Sequence, residues 1–355
     1  GTNYREIYRA FSNGDGASFI GDAKVNVGST STVDSFGIEV ARSGANVYAV
    51  WETFVTDRTR HIFFARSTNG GNTWSTEQQL STPSGSTFVA ANPQIAAAGS
   101  NVYVVWRDNR NGSLDLYLRR STNDGGSFGG ETRIDVGDAA GSGSSFSPSI
   151  GADGTNVYVA WVDDRDMGSF DIWLNRSQDS GATWRSSAVQ LDMETFSHDS
   201  IEPHVVALPS GRAVVSWIDY RYGFPDPLAT YTDDGGDTWD APQRLDTSTG
   251  AGVSGSYDLA IGGDGNLVVA AWADDRMGFL DVYANFSLDG GVTWQPQDYR
   301  LDSSGLGTSD SENPYVYVGG TTAHVVWEDH RSGSGCTRPI GSECPEADLF
   351  YRRLR

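Results

Sequence analysis

Short apolar runs ending in tryptophan recur along the chain, such as NVYVVW to Trp106, NVYVAW to Trp161 and RAVVSW to Trp217. With Trp51, Trp272 and Trp327 they form a series spaced by 55 or 56 residues. Within each period, β-branched and aromatic residues alternate or form short runs bounded by Gly, Asn, Asp and Ser, the pattern of strands. No segment carries the period of an amphipathic helix. One unit reads as strand one near 146–151, strand two at 156–161, a polar loop at 162–170, strand three at 171–176 and strand four at 188–191. A unit this small cannot bury its apolar face alone and must stack on its neighbours. Six such units predict an all-β, six-bladed β-propeller of four-stranded antiparallel blades, forming one domain over residues 1–355.

The ends of the chain break the repeat. Residues 348–353 read as a third strand without a fourth, and 23–27 would supply that fourth strand and close the ring. Residues 6–11 also read as a third strand, so one copy is surplus, either outside the ring or paired with another molecule.

A second signal has the same period. Ser67 to Trp74 (STNGGNTW) is repeated at Ser121–Phe128, Ser177–Trp184, Thr232–Trp239 and Ser287–Trp294, with a degenerate copy at Ser12–Phe19. A short Asp or Asn side chain accepts backbone N–H groups, Gly takes a positive φ, and the aromatic packs back on the sheet. This element is similar to the Asp-box, or bacterial neuraminidase repeat, of sialidases and other glycan-active propellers. The resemblance implies a sialidase-like fold in which the Asp-boxes join strands three and four, away from the ligand face.

From the second unit onward each tryptophan opens the signature Trp-x-Asp-x-Arg: Asp108/Arg110, Asp163/Arg165, Asp219/Arg221, Asp274/Arg276 and Asp329/Arg331. Two readings stand. The arginines Arg110, Arg165, Arg221, Arg276 and Arg331 would grip a substrate carboxylate bidentately, or each would pair with acids of its own hairpin. Repetition in every unit favours the second, because a catalytic centre needs different residues from different blades.

Asymmetry lies at the starts of the first strands. There Glu202-Pro203-His204 resembles the sialidase segment that holds the glutamate assisting the nucleophile, and Ser256-Tyr257-Asp258-Leu259 resembles the segment that holds the tyrosine nucleophile. Asp57 falls where the family places its acid/base aspartate. The resemblance thus implies Glu202 taking the proton of Tyr257 for attack on an anomeric carbon, with Asp57 protonating the leaving oxygen. Asp258 and Glu312 stand at the same first-strand starts as substrate-contacting candidates. The Arg-Ile-Pro element of sialidases is absent, and Glu202 and Tyr257 sit in consecutive units, which weighs against sialidase activity itself.

His198, Asp199, Glu202 and His204 cluster in sequence, and with Asp258, Asp310 and Glu312 they offer mainly oxygen ligands. Ca²⁺ is the ion such a set would take, and a solvated acidic rim needs none. No other cofactor is expected.

The net charge of −21 over 355 residues argues against nucleic acid or an anionic membrane as partner. No apolar stretch is long enough to cross a membrane. Cys336 and Cys344 fall in the loop 332–347, and a disulfide between them implies an oxidising compartment; a Zn site is the rival reading, for which the nearby His330 alone does not complete a ligand set. The expectation is therefore a secreted or periplasmic glycoside hydrolase, monomeric or weakly oligomeric, acting on terminal sugars of glycans in a pocket on the ligand face. A non-catalytic carbohydrate-binding or adhesion propeller is the alternative, and a protein-contacting scaffold is the third reading.

Overall fold

The computed structural model describes residues 5–11, 20–26, 34–56, 58–165, 168–193, 198–247, 250–303, 305, 309–330 and 348–354. The degenerate Asp-box at 12–19, Asp57, Arg331 and the loop carrying Cys336 and Cys344 lie outside the described residues.

An N-terminal hairpin pairs β1 (Tyr8–Phe11) with β2 (Ile20–Lys24) as a two-stranded sheet. Residues 23 and 24, expected to help complete the last sheet, therefore pair with the surplus third strand instead. Six antiparallel sheets follow. The first holds β3 (Ser35–Ser43), β4 (Asn46–Thr56), β5 (Thr59–Ser67) and β6 (Gln78–Gln79). The second holds β7 (Ala90–Ala98), β8 (Asn101–Asn111), β9 (Ser113–Ser121) and β10 (Thr132–Arg133). The third holds β11 (Ser145–Asp153), β12 (Asn156–Asp163), β13 (Asp171–Ser177) and β14 (Val189–Gln190). The fourth is β15 (Ser200–Leu208), β16 (Arg212–Asp219), β17 (Asp226–Thr232) and β18 (Gln243–Arg244). The fifth is β19 (Ser256–Asp264), β20 (Leu267–Asp274), β21 (Asp281–Ser287) and β22 (Tyr299–Arg300). The last has three described strands: β23 (Ser311–Gly319), β24 (Thr322–Asp329) and β25 (Asp348–Leu354).

The chain forms two compact units, Gly1–Arg165 with Leu174–Ala188, and Asp166–Trp173 with Val189–Arg355. In the first unit, Tyr48, Ile62, Phe64 and Leu80 pack against Phe88, Val104 and Trp106 of the next sheet. In the second unit, Val214, Ile218 and Leu245 pack on Val268 and Trp272, and Leu301 and Val282 pack on Val325 and Trp327. Ile7 and Val25 of the N-terminal hairpin bury against Ala49, Trp51 and Ala65 in the same manner. Trp51, Trp106, Trp161, Trp217 and Trp272 have no exposed surface, and truncating one side chain of this kind costs about 3–5 kcal/mol.

The Asp-boxes close on themselves as their sequence predicts. In the third sheet, Ser177 Oγ donates to Asp179 and accepts from Gly181 N, while Asp179 accepts from the Thr183 amide and hydroxyl. These bonds hold the exposed Asp179 carboxyl far below the usual range, the Thr183 amide foremost. The box at Ser121–Phe128 also grips the preceding sheet: Asp124 accepts from Asn46 Nδ2, and the Asp124 carbonyl accepts from Arg66.

Candidate functional site

Each first strand opens with a β-bulge. The pairs Phe36–Glu52 and Glu39–Val50 leave two residues, 37 and 38, opposite Trp51 alone, and all six sheets repeat this shift opposite their tryptophan. The first bulge residue has positive φ in every case: Gly37 (61°), Asn92 (51°), Ser147 (48°), Glu202 (55°), Asp258 (53°) and Asn313 (52°). Four of the six are followed by proline (Pro93, Pro148, Pro203, Pro314), and proline's missing N–H costs least where the ladder is already broken. A bulge re-aims one side chain out of the strand's alternation and is common beside active sites. Glu and Asp in the left-handed region are costly, which makes Glu202 and Asp258 strained positions with a stated carboxylate on each.

In the second unit these carboxylates are linked. Glu202 accepts from the amides of Leu259 and Asp258, and Asp258 accepts from Asn313 N at 3.3 Å. Each of these two carboxylates thus caps the bulge of the following sheet. Desolvation, reinforced by the charge of Asp258, pushes the Glu202 carboxyl above its ordinary range. Desolvation also raises Asp258, against the Asn313 amide and with the charge of Glu328. Glu202 remains open to solvent although protein crowds its other sides.

Tyr257 occupies the preceding position, paired with Ala273. Its ring folds over Gly255, where a Cβ would stand 2.2 Å from the phenol oxygen. Burial, then the charge of Asp275, raises the Tyr257 hydroxyl, with Tyr220 and Asp274 acting in the same direction. Burial, then the charges of Glu202 and Asp199, raises the hydroxyl of the neighbouring Tyr220.

The four described signature arginines are held by their own hairpins. Asp219 accepts from the Arg221 amide, Nε (2.7 Å) and Nη2 (2.6 Å), and also from Trp217 Nε1 and Ser200 Oγ. Arg165 and Arg276 repeat this on Asp163 and Asp274, and Arg110 on Asp108 with Glu131 added. Burial would raise Asp219, but the Arg221 and Trp217 hydrogen bonds outweigh it and hold the carboxyl below its usual range. These bidentate pairs, made through Nε and Nη2, fix each arginine to its own hairpin.

Glu52, Arg60 and Glu328, which the sequence reading passed over, also matter, as does His330. In the first unit, the nearly buried Glu52 meets Arg60 at 3.2 Å, and the Arg60 guanidinium lies over the rings of Phe36 and Phe54. Burial raises the Glu52 carboxyl against the opposing charges of Arg60 and Arg107. In the second unit, Glu328 is the register partner of Glu312, and His330 Nε2 stands 3.0 Å from Glu312 Oε1. Among the described residues, Glu312, Glu328 and His330 form the group whose ligand atoms lie within 4.8 Å of one another. The His198–His204 segment does not converge in this way. Its His204 ring is driven by burial down to about 4 and is neutral near pH 7. Asp310 is engaged as a cap on Leu280 N. The sequence signal for the Glu312 group was the residue after Trp-x-Asp, which is His only in the last unit.

Repeated Asp-boxes and six antiparallel sheets define a six-bladed β-propeller of the sialidase-like kind. The chain belongs to the BNR repeat-like domain family, whose match covers residues 46–318. Among solved structures it resembles an intramolecular trans-sialidase from Ruminococcus gnavus, with 11% identity, a TM-score of 0.55, and coverage of 89% of this chain and 93% of that one. An α-L-arabinofuranosidase from Fusarium graminearum gives 11% identity and a TM-score of 0.53 over 90% and 92%. A Hadza microbial sialidase gives 17% and 0.51 over 83% of this chain, which spans only 63% of that enzyme. At these identities the likeness is one of fold. No curated protein matches the chain.

Proposed function

We propose that the chain is a secreted glycoside hydrolase that acts on terminal sugars, with Glu202 as general acid and Asp258 as the second carboxylate. The observation that carries this reading is the pair of strained bulges that present these two carboxyls from consecutive sheets, both raised by their surroundings. Glycoside hydrolysis needs one carboxyl kept protonated to protonate the leaving oxygen and a second to act as base or nucleophile. Glu202 suits the acid role because burial, and after it the neighbouring Asp258 charge, disfavours its ionised form. The solved structures of similar fold include enzymes named for sialic acid and for arabinofuranose, which supports a sugar substrate without selecting one.

A carbohydrate-binding propeller without turnover is the second reading. It is favoured by the exposed Phe170, Tyr222, Phe224 and Phe279 in the second unit, in loops that lead to third strands. Exposed rings of this kind stack on sugar faces in either reading.

The test is incubation of the full chain with a glycan library, including sialosides and arabinosides, read by mass spectrometry. Release of a terminal sugar is expected, with Glu202→Gln and Asp258→Asn each slowing it by about 10²–10⁴-fold. Glycans retained intact would move the assignment to the binding module. Turnover unaffected by either substitution, but abolished by Tyr257→Phe or Asp57→Asn, would restore the sialidase-type arrangement.

A further inference from the structure

We propose that Glu312, Glu328 and His330 form a binding site for a divalent cation of the zinc–manganese kind, independently of the hydrolase reading.

The first support is an electrostatic anomaly. Residues 312 and 328 are direct cross-strand partners. At the equivalent place the other sheets combine at most one charge: Phe36 with Glu52, Ala91 with Arg107, and uncharged pairs in the remaining three. Two carboxylates directly opposite on one sheet face repel and destabilise the pairing unless a cation lies between them.

The second support is the histidine. In the second, third and fifth sheets the residue after Trp-x-Asp is Asn109, Asp164 or Asp275, and its side chain caps the amide that leads into strand one. In the last sheet that residue is His330, which keeps the backbone contact to Asp310 O at 3.0 Å but has no such capping oxygen. Its imidazole is 5% exposed and turns toward Glu312. Among the described residues its Nδ1 makes no hydrogen bond. A structural cap has thus been replaced by a buried metal-ligating group aimed at two carboxylates.

The geometry suits one ion. Donors bound at about 2.1 Å stand about 3.0–3.4 Å from each other, and the Nε2–Oε1 separation is 3.0 Å. Asn313 Nδ2 lies 3.4 Å from Glu328 Oε2 and orients that carboxylate. A nitrogen donor with two carboxylates favours Zn²⁺ or Mn²⁺ over Ca²⁺, which takes oxygen ligands.

Chelator-treated full-length chain titrated calorimetrically with ZnCl₂, MnCl₂ and CaCl₂ tests the site. One saturable Zn²⁺ site per chain is expected, with Mn²⁺ weaker and Ca²⁺ weakest. Affinity should fall at least about tenfold in Glu328→Gln and in the near-isosteric Glu312→Gln, and be lost in His330→Ala. Zn²⁺ should raise the unfolding midpoint of the wild type and leave that of His330→Ala unchanged. Circular dichroism identifies any variant that fails to fold, and the two glutamine variants then carry the result. Absence of a saturable site, equal Zn²⁺ affinity in every folded variant, or preference for Ca²⁺ would overturn the proposal.

Discussion

Glu202 shows how a single residue is both strained and placed by its sheet. At φ 55° its Cβ is held in a conformation that glycine adopts freely. Glu202→Ala and Glu202→Gly both delete the carboxylate, so their difference isolates the backbone strain. The glycine variant is expected to be the more stable by about 1 kcal/mol, measured by chemical denaturation; equal stabilities would show that the bulge is relaxed. Nothing in the local sequence announces this conformation. Glu202 precedes proline, as do Asn92, Ser147 and Asn313, but Asp258 precedes Leu259 and Gly37 precedes Ile38. Equivalence of the six positions emerges only from strand register. That register also gives the two residues named by the sequence resemblance different places: Glu202 is a bulge residue, and Tyr257 stands before a bulge.

Among the elements, the Asp-box was the most legible, because its chemistry is contained in eight consecutive residues whose side chains bond their own backbone. Its second role, wedging against the preceding sheet, needed the fold. Gly291 has φ 94°, and a Cβ there would meet Val214 Cγ2 at 2.4 Å. Gly291→Ala is therefore expected to destabilise by about 1–3 kcal/mol, visible as a lowered denaturation midpoint. Gly70 has φ 69° but open space around it, so Gly70→Ala should bear the conformational cost without the clash and lose less. The Trp-x-Asp-x-Arg hairpins teach a related lesson. Repetition pointed toward a structural role, and Asp219, Asp163 and Asp274 show why: each carboxylate is saturated by arginine, indole and serine donors.

For the whole molecule, buried carboxylates set opposing pH dependences. Asp163, Asp219 and Glu131 have folded pKa values below their unfolded ones, each raised by burial but lowered further by arginine bonds. They stabilise the fold above about pH 4, and that stability is lost as pH falls through their folded values. Asp135 is pushed the other way, up to about 6, by burial and by the charge of Asp115, against Arg133. Burial likewise raises Asp192, Asp226 and Asp298. For all four the folded state holds the proton more tightly, so their stabilisation is present at low pH and is lost as pH rises through their folded values, which for Asp135 is the window from about 4 to about 6. The growing negative charge of a chain at −21 acts in the same direction near neutrality. The unfolding midpoint is expected to fall between pH 5 and pH 7. Asp135→Asn should lessen that fall by up to about 3 kcal/mol in stability terms; a parallel profile in the variant would remove Asp135 as a cause.

The sequence by itself determined the six sheets, the Asp-boxes and the family, because strand alternation, turn chemistry and a 55- or 56-residue period are local or periodic properties. It also singled out the first-strand starts, where the repeat is least regular, as candidate positions. Only the tertiary structure showed which of those residues lie together. The link between Glu202 and Asp258 and the group of Glu312, Glu328 and His330 depend on bulge geometry and cross-strand register, which bring together side chains far apart in the chain. A one-residue change in register turns a side chain to the other face of its sheet, and linear spacing carries no record of where each bulge inserts its extra residue.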